Sequence, residues 1–308
     1  MRILIELPTW LGDTLMATPA IENLANYYDD SKITLIGSVI AIEALKNHPK
    51  VIKTYVLEKN YFYLNHSIKN FGEFDIYFSF RGSFRSKFLK FLISSKRKYQ
   101  FNKNKFIKGH QVEKYNNFVN ESLNIKTIAS NLILHHVSKS KDGKNKLLGI
   151  NPGSSYGDAK RWYPEKFADV AKYLSNQYDI IIFGGPGEKD IANDIENYLI
   201  ENGVENFQNL AGEITIEELI NEITDLDLFI TGDSGPMHIA ASFQVPTVSI
   251  FGPTKDNETS QWMNEKSIIV KKDLECQPCM KRVCPLKHHK CMKMLEVSDV
   301  LEAIETFN

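Results

Sequence analysis

The chain has 308 residues, of which 43% are hydrophobic, and a formal net charge of −1. This length accommodates two domains with separate cores. The sequence contains no apolar run of about 20 residues, which a membrane-spanning helix needs, and MRILIELPTW lacks the basic start and cleavage site of a signal peptide. These features argue against an integral membrane protein and predict a cytoplasmic location. All four cysteines lie within residues 276–291, and this clustering argues against a disulfide framework.

Strand and helix patterns alternate along the first half. RILIEL, beginning at Arg2, predicts the first strand, and KITLIG, TYVLE and DIYFSF predict three more. A helix is predicted after the first strand, with its apolar residues on one side: Leu15, Ala20, Ile21, Leu24 and Tyr28.

The segment from Arg81 to Lys114 is strongly basic, with eleven Lys or Arg residues and a single acid, Glu113. Apolar residues such as Phe88 and Leu92 are interleaved with the charges, so the segment is predicted to be folded, with a basic exterior. Either it binds an anionic partner or surface, or it is a solvated face without function.

The same alternation restarts after the polar stretch SKSKDGKNK at 138–146. Strands are predicted at KLLGI, DIIIF, LFITGD and PTVSIF, and helices at PEKFADVAKYLSNQ, EKDIANDIENYLI and IEELINEITDL and from about Pro236 to Phe243. This order predicts an α/β protein with two Rossmann-like domains, 1–140 and 141–308, whose parallel sheets face a central cleft. Ligands are expected beyond the carboxyl ends of the strands. The last helix could pack back on the first domain.

Two loops of the second half have the composition of anion sites. In GDSGPMH, Asp233 or Ser234 could cap a helix whose free amides face an anion, while Gly235 adds no bulk; a plain strand-to-helix turn explains the same residues. NPGSSYGDAKRW offers hydroxyls followed by Lys160 and Arg161. Neither loop matches GxGxxG or GxxxxGK[ST], so hydride-transfer and kinase functions lose support.

The first loop, PTWLGDTLMATP, carries Asp13 just beyond the first strand. A carboxylate there could act as a general base on an acceptor hydroxyl. The alternative is that Asp13 is a helix N-cap, and the sequence leaves both open.

The cysteines form a C-x2-C-x4-C-x6-C pattern at Cys276, Cys279, Cys284 and Cys291, with His288 and His289 between them. Four such ligands could bind structural zinc, although the spacing is not that of a standard finger or ribbon. Reduced thiols that pack a loop are the favoured alternative.

Together, RILIELPTWLGD, NPGSSYGDAKRWYP, NLAGE, TGDSGPMHIAA and GPT resemble the ADP-heptose:lipopolysaccharide heptosyltransferases, family 9 of the glycosyltransferases. The resemblance implies a GT-B fold and inverting transfer without a metal or other cofactor. Heptose would pass from ADP-L-glycero-D-manno-heptose, bound by the second domain, to the first heptose of the lipopolysaccharide inner core, bound by the first. The implied residues are Asp13 as the catalytic base and Ser154, Ser155, Lys160, Glu213, Asp233, Ser234, Gly235 and His238 around the donor, with Glu213 at the ribose.

If the acceptor is an anionic lipid, the basic segment is predicted to attract the acceptor and the membrane that carries it. Thr9, Arg81, Arg85 and Lys87 are the predicted acceptor residues, and the protein would touch the cytoplasmic face of the inner membrane without binding nucleic acid. The alternatives are a family member acting on Kdo, a GT-B nucleotide-sugar epimerase and, from another class, a zinc protein that binds nucleic acid.

Overall fold

The computed structural model describes residues 1–57, 71–136 and 145–307. The chain divides into two compact units, Met1–Val137 and Ser138–Asn308, and each contains a parallel sheet. No helix in the described ranges is both long and apolar enough to cross a membrane.

The strands of the first unit are β1 (Arg2–Glu6), β2 (Lys32–Gly37), β3 (Val51–Val56), β4 (Phe74–Ser79) and β5 (Ser95–Gln100), and the helices are α1 (Leu11–Met16), α2 (Thr18–Tyr27), α3 (Val39–Leu45), α4 (Phe84–Leu92) and α5 (Gln111–Leu123). The sheet has the strand order β3-β2-β1-β4-β5, and all its neighbouring strands are parallel. The middle of its central strand β1, Ile3 to Ile5, is apolar and buried because helices cover both faces of such a sheet.

The single helix predicted after β1 is wrong, because the chain forms two helices, α1 and α2, separated at Ala17. Pro19 has no N–H to donate to the carbonyl of Leu15, and the hydroxyl of Thr18 donates to that carbonyl instead, at 2.7 Å. The strand predicted at TYVLE runs from Val51 to Val56, and its last predicted residue lies outside the described ranges.

The basic segment is ordered, as predicted, and part of its charge lies on the edge strand β5, SKRKYQ. Charged side chains on an edge strand discourage pairing with another chain. The prediction that the whole segment has a basic exterior is wrong at Lys114, which is buried in α5.

The sheet of the second unit has the order β11-β10-β9-β6-β7-β8, again all parallel. Counted within the unit, this is the doubly wound order of a Rossmann fold. The strands are β6 (Lys146–Asn151), β7 (Tyr178–Ile182), β8 (Phe207–Asn209), β9 (Leu228–Gly232), β10 (Thr247–Ile250) and β11 (Ser267–Val270), and the helices are α6 (Pro164–Leu174), α7 (Lys189–Glu201), α8 (Ile216–Thr224), α9 (Gly235–Ser242), α10 (Asp256–Thr259), α11 (Lys290–Lys293) and α12 (Val297–Glu305).

The core of the second unit extends to the end of the chain. Val300, Ala303 and Ile304 of α12 are buried in the same cluster as Trp162 and Phe167. The apolar face of the last helix is therefore covered within this unit. The predicted α/β class with two parallel sheets is confirmed.

Each unit has one topological switch point, where loops leave two neighbouring strands in opposite directions. It lies between β1 and β4 in the first unit and between β6 and β9 in the second. Such points, at the carboxyl ends of the strands, are where open α/β sheets bind ligands.

Candidate active site

At the switch point of the second unit, Lys160 and Asp233 form a nearly buried ion pair. Lys160 Nζ lies 2.6 Å from Asp233 Oδ2, and the two side chains are 12% and 7% exposed. The ammonium also donates to the carbonyl of Asp233 at 3.0 Å, and the hydroxyl of Thr254 donates to Asp233 Oδ2 at 2.7 Å. Asp233 therefore holds the ammonium group of Lys160 in place. Thr254, in the GPT loop after β10, was not among the predicted site residues.

A second polar network joins the same two loops. Asn151, at the end of β6, donates to Thr231 Oγ1 at 3.3 Å and to Ser234 Oγ at 3.1 Å. Ser234 occupies the N-cap position of α9, but its side chain forms no cap. The prediction that Asp233 or Ser234 caps this helix is wrong, because Lys160, Thr254 and Asn151 engage their side chains. Among the described residues, no side chain caps the first amides of α9, which leaves them available to an anion.

The NPGSS loop passes close to another carboxylate. A Cβ atom added at Gly153 would collide with the carboxylate of Glu188, which accepts a hydrogen bond from the amide of Gly185 at 2.8 Å. Ser154 is buried and Ser155 is exposed. No pattern in the sequence indicated that Glu188 would lie against this loop.

Two predicted donor residues lie in contrasting environments. Glu213 is exposed and pairs with Lys189, whose hydrogen bond, with its charge, lowers the pKa of that carboxyl. His238 is buried in α9, three residues after Gly235, the first residue of that helix.

At the switch point of the first unit, the structure reveals a buried carboxylate that the sequence did not single out. Glu6, at the end of β1, is 1% exposed. Its oxygens accept hydrogen bonds from the hydroxyls of Tyr77, Ser79 and Ser86 at 2.7, 2.6 and 2.8 Å, and Arg81 Nη1 lies 3.7 Å away. Burial, followed by the charge of Glu6, raises the pKa of Tyr77 well above its ordinary value. The one sign in the sequence was an acid at the end of the apolar run Ile3–Ile5, and its register with Ser79 emerges only from the fold.

Asp13 lies at the third position of α1, and Trp10 occupies the N-cap. The alternative that Asp13 is the N-cap is therefore wrong. The side chain is half-buried and close to Tyr115, whose pKa is raised by burial and then by the negative charge of Asp13. A carboxylate in the first turn of a helix is stabilised in its charged form.

The predicted acceptor residues also lie in the first unit. Thr9 is exposed in the loop between β1 and α1, and its carbonyl accepts a hydrogen bond from Ser38 at 2.9 Å. Arg81 is the residue held beside Glu6, while half-buried Arg85 and exposed Lys87 belong to α4.

A cluster of potential metal ligands, Glu22, His48 and His135, lies elsewhere in the first unit, with ligand atoms within 4.8 Å of one another. His48 Nδ1 accepts the amide hydrogen of Lys50 at 3.1 Å, so in the neutral ring Nε2 carries the proton. This Nε2 lies 3.1 Å from Glu22 Oε1, and His135 Nε2 lies 2.9 Å from the same oxygen. His135 is hydrogen-bonded to Glu22, and a protonated Nε2 of His48 is unavailable to a metal, so this arrangement is read as polar contacts with Glu22 rather than as a metal site.

Comparison with known proteins identifies the class. Residues 64–290 match the model of glycosyltransferase family 9 (heptosyltransferase), and the chain belongs to this family. Over 98% of its length it is 42% identical to lipooligosaccharide heptosyltransferase 2 of Campylobacter jejuni, of which the match covers 97%. Family membership favours a glycosyltransferase over the epimerase and nucleic-acid-binding alternatives.

Solved structures show the same fold. The E. coli ADP-heptose lipopolysaccharide heptosyltransferase II matches with a TM-score of 0.81 and 22% identity over 99% of this chain and 98% of that one. A second E. coli heptosyltransferase, solved with ADP, matches with a TM-score of 0.78 and 15% identity over 100% of both chains. The predicted GT-B fold is confirmed.

Proposed function

We propose that this protein transfers L-glycero-D-manno-heptose from ADP-heptose to the first heptose of a lipopolysaccharide or lipooligosaccharide inner core, the reaction of heptosyltransferase II. The observation that carries this assignment is the 42% identity to the Campylobacter jejuni enzyme over nearly the full length of both chains. The polar networks at the two switch points support the donor and acceptor residues proposed below.

The donor diphosphate would bind in the second unit. The amides at the start of α9 have no side-chain cap among the described residues, and Lys160 is held beside them through Asp233. Ser154 in the neighbouring loop is buried and adds a hydroxyl. As the glycosidic bond breaks, negative charge grows on ADP, and the ammonium and the amides would stabilise it.

Acceptor activation is assigned to Asp13. Its carboxylate would take the proton of the acceptor hydroxyl while the hydroxyl oxygen attacks the anomeric carbon and ADP departs from the opposite face. Glu6 is unsuited to that role because three hydroxyls and a guanidinium surround its buried oxygens. Instead Glu6 would position Arg81, whose guanidinium would bind an anionic group of the acceptor.

Helix α4 supports a contact with the membrane that carries the lipid acceptor. Phe84 and Phe91 are each 81% exposed, and Phe88 is also exposed, while Lys87 and Lys90 belong to the same helix. Exposed aromatic side chains beside lysines are typical of helices that lie in the interface of an anionic membrane.

Acceptor specificity is tested with purified protein, ADP-heptose and truncated lipopolysaccharides that end either in heptose-Kdo or in Kdo. ADP release with the heptose-terminated acceptor is expected. Release with the Kdo-terminated acceptor alone would make the protein a heptosyltransferase I, and release with neither would refute the assignment.

Membrane contact is tested by co-sedimentation with vesicles of anionic or zwitterionic lipid. The F84S/F91S variant should lose most binding to anionic vesicles and keep ADP affinity. Ile200→Ser removes a comparably exposed apolar side chain from α7 and serves as the matched control. Equal binding of both variants would rule out α4 as the membrane contact.

A further inference from the structure

A late segment of the chain contacts two loops of the proposed donor site. Residues 276–291 carry the four cysteines as free thiols, and the proposed function gives this segment no role. The amide of Met280 donates to the carbonyl of Pro253, in the GPT loop after β10, at 2.8 Å. The hydroxyl of Tyr156, in the loop after β6, donates to the carbonyl of Met280 at 2.8 Å. The segment therefore joins these two loops to each other.

Arg282 is the residue of this segment that lies against the loop after β6. Its carbonyl accepts a hydrogen bond from the amide of Ala159 at 3.0 Å, and a Cβ atom added at Gly157 would collide with the same carbonyl. The guanidinium carbon of Arg282 lies 5.4 Å from the centre of the Tyr156 ring. The backbone of Arg282 is thus fixed against the loop, and its charge lies over an aromatic side chain of that loop.

The Tyr156 ring brings Arg282 close to Lys160. Lys160 Nζ lies 4.9 Å from the centre of the same ring, so the two cationic groups are neighbours. The face of an aromatic ring attracts cations but leaves the N–H groups of a guanidinium free to donate to a ligand. Lys160 is 12% exposed, whereas Arg282 is exposed and open to a ligand that arrives from solvent.

The other charged side chains found at this switch point carry no net positive charge. The ion pair at its centre is neutral in sum, and Arg161 is paired with Asp158 at 3.0 Å. The carboxylate of Glu188 adds negative charge against the same loop. Among the residues that the structure describes, no carboxylate pairs with Arg282. Since an anion is attracted by positive charge that no acid compensates, Arg282 is the group that makes this site favourable for one.

We propose that Arg282 is a further donor-binding residue, whose guanidinium binds the diphosphate of ADP-heptose beside Lys160. The inference rests on the proposed function and names a residue of that site which the sequence did not single out. A guanidinium can donate to two phosphate oxygens at once, whereas the Lys160 ammonium acts as a point charge. Arg282 would also stabilise the negative charge that grows on departing ADP.

The primary test compares the Kd values for ADP and for adenosine by calorimetry. Arg282→Gln should weaken ADP binding about 10-fold, as for a lost charge-assisted contact at an exposed position, and should leave adenosine binding unchanged. Lys281→Gln removes an adjacent, equally exposed charge and is the matched control, which should bind ADP as the wild type does. Equal ADP affinity of R282Q and wild type would overturn the proposal. Equal losses in R282Q and K281Q would also overturn it, since they would show a general effect of net charge.

A double variant separates direct contact from an effect on Lys160. If Arg282 only holds Tyr156, and through it Lys160, then R282Q should cause no further loss of ADP binding when Lys160 is already replaced by Met. If Arg282 contacts the diphosphate itself, K160M/R282Q should bind ADP clearly more weakly than K160M. The absence of a further loss would overturn direct binding.

A measurement on the wild type covers the case in which R282Q does not fold. An arginine-selective dicarbonyl reagent should modify Arg282 more slowly in the presence of ADP, but not of adenosine, as followed by peptide mass mapping. The same rate with and without ADP would refute the contact. Failure of the wild type to bind ADP would overturn the proposed function and this residue together, whereas ADP binding that does not depend on Arg282 would overturn this residue alone.

Discussion

Replacing Lys160 with Met should separate its part in folding from its part in donor binding. Met fills similar space but leaves Asp233, which is 7% exposed, with only the hydroxyl of Thr254 from its side-chain partners. Removing one partner of a buried pair costs about 3 to 5 kcal/mol. Because Lys160 keeps some exposure, we expect the lower end, about 3 kcal/mol, in urea unfolding. The lost charge-assisted contact with the diphosphate should cost about 1.5 to 3 kcal/mol, or roughly 10- to 100-fold in the Kd for ADP by calorimetry.

The double variant K160M/D233N decides between the two roles. The neutral amide that D233N introduces does not need a neighbouring cation, so much of the stability that K160M loses in urea unfolding should return. The weak ADP binding of K160M should persist. If K160M binds ADP within about twofold of wild type although its stability falls, Lys160 has only a structural role and the donor assignment is refuted.

Three further outcomes are expected. Asp13→Asn should lower turnover by about two orders of magnitude or more, as for a lost general base, with an unchanged Kd for ADP; normal turnover would remove Asp13 from the chemistry. Glu6→Gln should loosen Arg81 and raise the KM for the lipid acceptor while the KM for ADP-heptose stays constant; the reverse pattern would contradict its positioning role. Stability should also fall in acid. Burial raises the pKa of the Glu22 carboxyl, but hydrogen bonds and charges from His48 and His135 outweigh it and lower that pKa below its ordinary value. The Arg2 amide, with Lys96, lowers the pKa of Asp75 to about 2. The folded state therefore binds fewer protons than the unfolded state between about pH 2 and 4.5, so the urea midpoint should fall as pH drops through this range, less steeply in Glu22→Gln.

The sequence predicted the parallel strands well because a buried parallel strand is a continuous apolar run between polar loops. RILIEL and KITLIG differ from the observed β1 and β2 by at most one residue. The edge strand β5 was missed because SKRKYQ has the composition of a surface loop.

The candidate site was harder to predict because its contacts join residues that are far apart in the sequence. Loop composition was enough to select Lys160 and Asp233, but their ion pair joins residues 73 positions apart. Glu6 is 71 positions from Tyr77 and 80 from Ser86. Without the strand order, a lone acid at the end of an apolar run looks like the start of a loop. The fold makes it the centre of a network.

The ion pair between Lys160 and Asp233 also has a consequence for the reaction cycle. A free lysine side chain loses about 1.5 to 2 kcal/mol of rotamer entropy when a ligand immobilises it, and in this loop Asp233 already restricts that motion. If Lys160 binds the donor as proposed, the nearly neutral pair would attract ADP-heptose weakly over long distances and act mainly at contact. Departing ADP would then leave a cation whose counterion is still in place, which would favour release of the product.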